Sequence, residues 1–450
     1  MKLKRIDIKL LYIGVALSIF SQIPSFWNNR FISLGYTGAL FLVFLFSLYK
    51  DNLKVKLPID IIALPILIDS ILVILSIFSR KNYLQSNLFT PINMCCFFTI
   101  IGYYCGKFTN IDTLRKINKI IVYSTLIMAL FIFKDSFAGV DWANASGYLY
   151  TAKNSAATIF LSAIIIILIY IEDFKKTVAI AAVFFLSLLI IMTKSRATII
   201  CLLIVLLYIV LFYIRNYKLK FLLIGIIVLI GIFIFMNKTL YDFFINNIFF
   251  NNRSKTDFSV ITSGRDVQYD YFFKTFPAHW IIGTGGTYIE CNPMTILLSF
   301  GIVGGIPTLI YSIYPIIYPI KNKIRNLNNN TFKIRYLVLS LGIVLFINGL
   351  FEELTPFGPG VKCFVLWFYL GVYISFYKIK GGNGCEKIFG EPAAYTFAFG
   401  RTCDRRIYRR MAERISVVLI FKLWKNIRTH ITCCSGFECS CTYIWFYGQV

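Results

Sequence analysis

Apolar stretches of about twenty residues follow one another along most of the chain, the length that crosses the roughly 30 Å hydrocarbon core of a bilayer. Stretches such as 163–170 and 199–212 are continuously apolar, which favours helices over the alternating strands of a membrane barrel. The pattern predicts an all-α, multi-pass membrane protein. It indicates about twelve transmembrane helices, centred on Val15, Phe41, Leu67, Phe97, Met128, Ile164, Phe184, Ile204, Val228, Ile306, Leu345 and Phe368.

One polar segment is much longer than the others. Residues 237–292, between the ninth and tenth predicted spans, are rich in aromatic and charged side chains. Lys and Arg are concentrated in the short loops of the opposite side, and such loops face the cytoplasm in membrane proteins. We therefore expect a cytoplasmic N-terminus, an external large loop and a location in the bacterial cytoplasmic (inner) membrane.

The composition agrees with this class. Hydrophobic residues make up 58% of the 450 residues and charged residues 15%, whereas a soluble domain carries about 25% charged residues. Most of the excess behind the formal net charge of +25 comes from the cations of the predicted cytoplasmic loops. No nucleic-acid-binding module is recognisable, so we expect no nucleic-acid partner.

The pattern changes after Lys380, which divides the chain into a membrane domain, 1–380, and an atypical tail, 381–450. The tail has no clear span and holds six of the twelve cysteines. We interpret it as a frameshifted or fused segment. A disordered tail and a zinc module are the alternatives, although the cysteine spacing does not match paired Cys-x2-Cys knuckles.

Charged and amide side chains are grouped near the predicted outer ends of several spans, where an unpaired buried charge is costly. The first group, Lys153 and Asn154, begins the sixth span. As an alternative to a functional role, Lys153 extends its charged end to the membrane–water interface. The second group, Lys194 and Arg196, occupies a tight turn between two apolar spans. The alternative is that this turn only connects the two spans and has no functional role.

The remaining candidates lie in or after the large loop. Arg265 follows Gly264, Glu290 and Asn292 precede the tenth span, and Glu352-Glu353 ends the eleventh. Arginine is suited to bidentate phosphate recognition, so two external arginines and a lysine form a candidate clamp for a lipid-linked diphosphate. The loop's aromatic side chains suit either stacking on sugars or an interfacial position.

Several segments jointly resemble the O-antigen ligase/polymerase superfamily, which includes the Wzy-type polysaccharide polymerases. The resemblance spans roughly residues 5–380. It rests on Gly264-Arg265, Pro277, Ile282-Gly283-Thr284-Gly285-Gly286, the span start from Glu290 to Gly301-x-x-Gly304, the turn Thr193-Lys194-Ser195-Arg196, and Ala152-Lys153-Asn154-Ser155. The family's ligases carry His where this chain has Glu290, which favours the polymerase subclass.

The resemblance implies a GT-C-like helical bundle that needs no metal or cofactor and acts on polyprenyl-diphosphate-linked oligosaccharides. We expect a polymerase of repeat units for a capsule, O-antigen or exopolysaccharide, with a chain-length regulator and a flippase as partners. Arg196 and Arg265 would stabilise the leaving diphosphate, and Glu290 would deprotonate the acceptor hydroxyl. The predicted substrate-binding residues are Lys153, Asn154, Lys194, Asn292, Glu352 and Glu353. The alternatives are a lipid-linked-oligosaccharide flippase or transporter, and an O-antigen ligase.

Overall fold

The computed structural model describes the membrane domain with short gaps and contains helices but no strand within the described ranges. The described residues are 5–23, 26, 30–50, 57–138, 153–214, 216–243, 245–246, 264–322, 329–358 and 361–378. The predicted atypical tail, 381–450, lies outside them.

Fourteen α-helices are numbered here in chain order within the described ranges. The first seven are α1 (Arg5–Phe20), α2 (Arg30–Lys50), α3 (Ile59–Ser79), α4 (Phe89–Phe108), α5 (Ile111–Phe137), α6 (Lys153–Ile169) and α7 (Lys176–Met192). The second seven are α8 (Arg196–Tyr208), α9 (Tyr217–Met236), α10 (Lys238–Asp242), α11 (Arg265–His279), α12 (Asn292–Lys321), α13 (Asn329–Gly349) and α14 (Val361–Phe376).

Every predicted span centre lies within one of these helices. Among the described residues, six segments are long and apolar enough to cross a membrane: Ile59–Ser79, Ile111–Asp135, Arg196–Tyr213, Tyr217–Met236, Asn292–Lys321 and Asn330–Gly349. Shorter apolar helices accompany them. The all-helical membrane class is therefore confirmed in outline, and the number of twelve spans stays a prediction. Helices α10 and α11 lie in the large loop between the ninth and tenth predicted spans.

The centre of the bundle is formed by α14, whose side chains from Lys362 to Phe376 are all buried. It crosses α4 in direct backbone contact. A Cβ atom added to Gly102 would lie 1.9 Å from the carbonyl oxygen of Phe368, and one added to Gly371 would lie 2.0 Å from that of Thr99. Small residues allow membrane helices to approach this closely, and no larger side chain fits at either position.

Helix α12 is interrupted at Gly301, where φ is 63° and ψ is −165°. The loop that follows α11 packs into the interruption and satisfies the backbone groups that the break releases. The amide of Thr284 donates to the carbonyl of Leu298 at 2.8 Å, and the amide of Ile302 donates to the carbonyl of Trp280 at 2.8 Å. Non-helical backbone at membrane depth is tolerated where the protein pairs it in this way.

Glycines make this contact possible. A Cβ at Gly283 would lie 2.4 Å from the carbonyl oxygen of Ser299, and a Cβ at Gly301 would lie 2.3 Å from that of Ile281. Both glycines have positive φ, a conformation that side-chain-bearing residues rarely adopt. The Gly-x-Gly segment and Gly301 therefore hold the end of the large loop against α12, next to the first residues of that helix.

Candidate functional site

Arg265 and Glu290 form an ion pair at the start of α11. Gly264 adopts the left-handed conformation, with φ of 80°, and α11 begins at Arg265. The Nη2 atom of Arg265 lies 2.8 Å from the Oε2 atom of Glu290 and donates to the carbonyl of Phe351 at 3.2 Å. The two side chains are 18% and 35% exposed, so a ligand at the rim of the bundle can reach them.

Glu290 is held from two further directions. Its backbone amide donates to Oε1 of Gln268 at 2.7 Å, and the hydroxyl of Tyr288 donates to its Oε1 atom at 3.4 Å. Burial, followed by the charges of Glu290 and Glu353, raises the pKa of Tyr288. The phenol is therefore protonated at neutral pH and acts as a donor.

Asn292 joins this pair to the connection between α13 and α14. Its side chain is buried, and Nδ2 donates to the carbonyl of Glu353 at 2.6 Å. The side chain of Glu353 is 7% exposed and belongs to the same connection as Phe351, the acceptor for Arg265. Residues from the starts of α11 and α12 therefore converge on residues 351–353.

The neighbouring carboxylate, Glu352, has a different environment. Its Oε2 atom pairs with Nζ of Lys362, whose side chain is fully buried at the start of α14, and accepts from Thr355 Oγ1 at 3.0 Å. Lys362 also donates to Oδ1 of Asn348 at 3.3 Å. Lys362 is an interior residue of the fold, because Glu352 and Asn348 compensate its charge.

The same polar network continues to the group at the start of α6. Asn348 Nδ2 donates to Oγ1 of Thr158 at 3.2 Å, and that hydroxyl donates to the carbonyl of Asn154 at 2.7 Å. The hydroxyl of Ser195 donates to Oδ1 of Asn154 at 2.8 Å. This chain of contacts, from Glu352 to Ser195, is called the buried polar network below.

Ser195 precedes Arg196, the first residue of α8, in the turn after α7. Lys194 has a positive φ of 50° in that turn, and both cations are half-buried. Lys153 begins α6, but its side chain lies outside the described part of the chain. Ser195 thus anchors the turn to the buried polar network. That network ends at Glu352, next to Phe351, whose carbonyl accepts from Arg265.

The fold brings the predicted site residues to one end of the bundle: the starts of α6, α8, α11, α12 and α14 and the end of α13. Their assigned roles remain predictions. The sequence analysis missed Gln268, Asn348, Thr158 and Ser195, which are polar residues without an unusual local pattern. Lys362 carried a usable signal, because it lies close to the Glu352-Glu353 pair in the chain and at the edge of an apolar segment.

No cluster of three metal-ligating side chains is found within the described ranges, and the expected independence from metal and cofactor stays a prediction.

The fold and site define a multi-helix membrane protein with paired charges gathered at one end of its bundle. A family model described as O-antigen ligase matches residues 181–299, from α7 into α12. This match places residues 181–299 with the O-antigen ligase/polymerase superfamily. No curated protein shows significant similarity to the chain.

The matched segment includes Arg196, Arg265, Glu290 and Asn292. Members of the family are membrane enzymes of the glycosyltransferase type that act on lipid-linked oligosaccharides.

Proposed function

We propose that this protein polymerises polyprenyl-diphosphate-linked oligosaccharide repeat units into a surface polysaccharide, at the outer face of the bacterial cytoplasmic membrane. The observation that carries the proposal is the half-exposed Arg265–Glu290 pair within the family-matched segment. The carboxylate fixes the orientation of a guanidinium that remains accessible from the rim. A pre-oriented arginine suits a diphosphate whose negative charge increases as it leaves.

In the proposed reaction, a hydroxyl of one lipid-linked unit attacks the anomeric carbon of a second unit, and the polyprenyl diphosphate leaves. Arg265 and Arg196 stabilise that leaving group, with Lys194 and Lys153 as further phosphate contacts. Glu290 orients Arg265 and lines the acceptor position. Asn154, Asn292 and Glu352 act through their hydrogen bonds to the protein, which position the groups around them.

The interruption of α12 bears on the transporter alternative. Transporters use broken helices to expose backbone groups to substrates and ions. Helix α12 is broken at Gly301, as a transporter helix could be. Here, however, the loop after α11 occupies the break, with the amide of Gly285 donating to the carbonyl of Ser299 at 2.9 Å. Among the described residues, the break therefore supports a fixed loop rather than a substrate path.

The substrate requirement distinguishes a polymerase from a ligase and a flippase. The test supplies the purified protein in proteoliposomes with lipid-linked repeat units as the sole saccharide. A polymerase forms chains of several repeats and releases polyprenyl diphosphate. A ligase releases it only after a second kind of acceptor is added, and a flippase moves the unit across the bilayer without releasing it. Absence of chains from an otherwise folded protein contradicts the proposal. A chain-length regulator would alter the distribution of polysaccharide chain lengths. A flippase partner would alter the supply of repeat units.

A further inference from the structure

The adjacent carboxylates Glu352 and Glu353 differ in their partners. Glu352 is paired with Lys362 and accepts a hydrogen bond from Thr355. The Oε1 atoms of both carboxylates are buried without a hydrogen-bond partner among the described residues, but no cation there forms an ion pair with Glu353. A buried acceptor without a partner is costly and is uncommon in folded proteins. Glu353 therefore has an acceptor position that no described protein group fills, and no described cation neutralises its charge.

The surroundings of Glu353 are chemically suited to a reversible proton exchange. Two side chains of the large loop interact with it electrostatically, Glu290 and Tyr288, and Arg265 is paired with Glu290. On its own connection the neighbouring charge is the Glu352–Lys362 pair. From the turn before α4, the side chain of Asn87 donates a hydrogen bond to the Glu353 carboxyl.

The carboxyl of Glu353 titrates near neutral pH. Burial raises its pKa to about 7; the hydrogen bond from Asn87 opposes this rise and the charge of Glu290 adds to it. In contrast, both oxygens of Glu290 have protein donors, Arg265 on Oε2 and Tyr288 on Oε1. Glu290, which the sequence analysis expects to deprotonate the acceptor hydroxyl, is thus engaged in orienting Arg265, whereas Glu353 retains an unoccupied acceptor atom.

We propose that Glu353, held beside the Arg265–Glu290 pair, is the general base that accepts the proton of the acceptor sugar hydroxyl. The inference rests on the polymerase function proposed above. As the hydroxyl oxygen forms its bond to the anomeric carbon, its proton passes to the Glu353 carboxylate. The bond between the anomeric carbon and the diphosphate oxygen breaks, and its electron pair leaves with the diphosphate. The protonated Glu353 then returns its proton to solvent before the next cycle.

The test measures the initial rate of chain formation in proteoliposomes from about pH 5 to about pH 9, a range that brackets the titration of such a base. A base must be deprotonated, so the wild-type rate falls as the pH is lowered through about 7. This fall is called the acid limb below. In Glu353→Gln we expect a rate lower by on the order of 10²-fold, and we expect the acid limb to be absent. Glu353→Asp retains the limb, and so does Glu290→Gln, whatever its rate.

Asn87→Ala provides an independent arm that leaves the carboxyl in place. Loss of the hydrogen bond that favours the carboxylate moves the acid limb to higher pH. The inference is overturned if Glu353→Gln keeps the wild-type pH dependence, or if the limb is abolished by Glu290→Gln instead. Should Glu353→Gln not fold, an unmoved limb in Asn87→Ala overturns it. A wild-type protein that makes no chains refutes the polymerase function instead, so the two failures are distinguishable.

Discussion

Two ion pairs at the same end of the bundle differ in how far their side chains are exposed to solvent. Arg265 and Glu290 are 18% and 35% exposed, and they join the large loop to the rim of the bundle. Lys362 and Glu352 are 0% and 15% exposed, and they join the start of α14 to the connection before it. Both pairs contact the segment that follows α13: Arg265 donates to the carbonyl of Phe351, which directly precedes Glu352.

The difference separates a pair that we propose to face the substrate from a structural one. Water screens a partly exposed pair, so the Arg265–Glu290 pair contributes less to stability than a buried pair costs to break. A buried charge left without its partner costs about 3–5 kcal/mol, so the Lys362–Glu352 pair is required once either member is present. The buried pair holds residues 348–355 in place, and the exposed pair uses that segment as its support.

The largest expected effect is on folding. Lys362→Ala leaves Glu352 buried without its cation, and we expect a loss of about 3–5 kcal/mol of stability. The measurement is the thermal melting and the folded yield of the purified protein in detergent. The double variant Lys362→Met with Glu352→Leu removes both charges and should recover much of the loss. A single variant as stable as the wild type contradicts the structural role.

The next effect is on activity. Arg265→Ala should lower chain formation by on the order of 10²-fold or more while the melting temperature stays near that of the wild type. Arg265→Lys keeps the charge but lacks the planar fork, and it should also abolish long chains. Lys274→Ala is the matched control, since Lys274 lies on the same helix in an exposed pair with Asp270. If Arg265→Lys retains most of the chain length, bidentate recognition is the wrong description.

A smaller effect is expected at the residue that positions Glu290. Gln268→Ala removes the acceptor for the Glu290 amide, a contact of 2.7 Å. One hydrogen bond contributes about 1 kcal/mol, so chain formation should slow several-fold rather than a hundredfold. Gln268→Glu, which keeps an oxygen acceptor at this position, is the rescue variant. Equal losses in Gln268→Ala and Arg265→Ala would show that Gln268 itself contacts the substrate.

Much of the architecture was predictable. The span centres fall within helices because a long apolar stretch is a local property of the chain and backbone pairing in lipid leaves few alternatives. The burial of each helix was not predictable. No described side chain of α9 is buried, whereas α14 is buried from Lys362 to Phe376, although both segments are strongly apolar. Lipid tails and protein interiors are similarly apolar, so hydrophobicity does not distinguish them.

The sequence by itself determined the membrane class, the order of the helices, and the Gly-Arg and Gly-x-Gly segments with their acidic neighbour Glu290. These are short-range patterns of length, polarity and backbone freedom. Only the tertiary structure decided that Glu290 holds Arg265, that Lys362 is buried against Glu352, and that Glu353 keeps an unpaired oxygen. The environment of a charged group depends on the residues that packing brings around it, and these partners come from helices far apart in the chain.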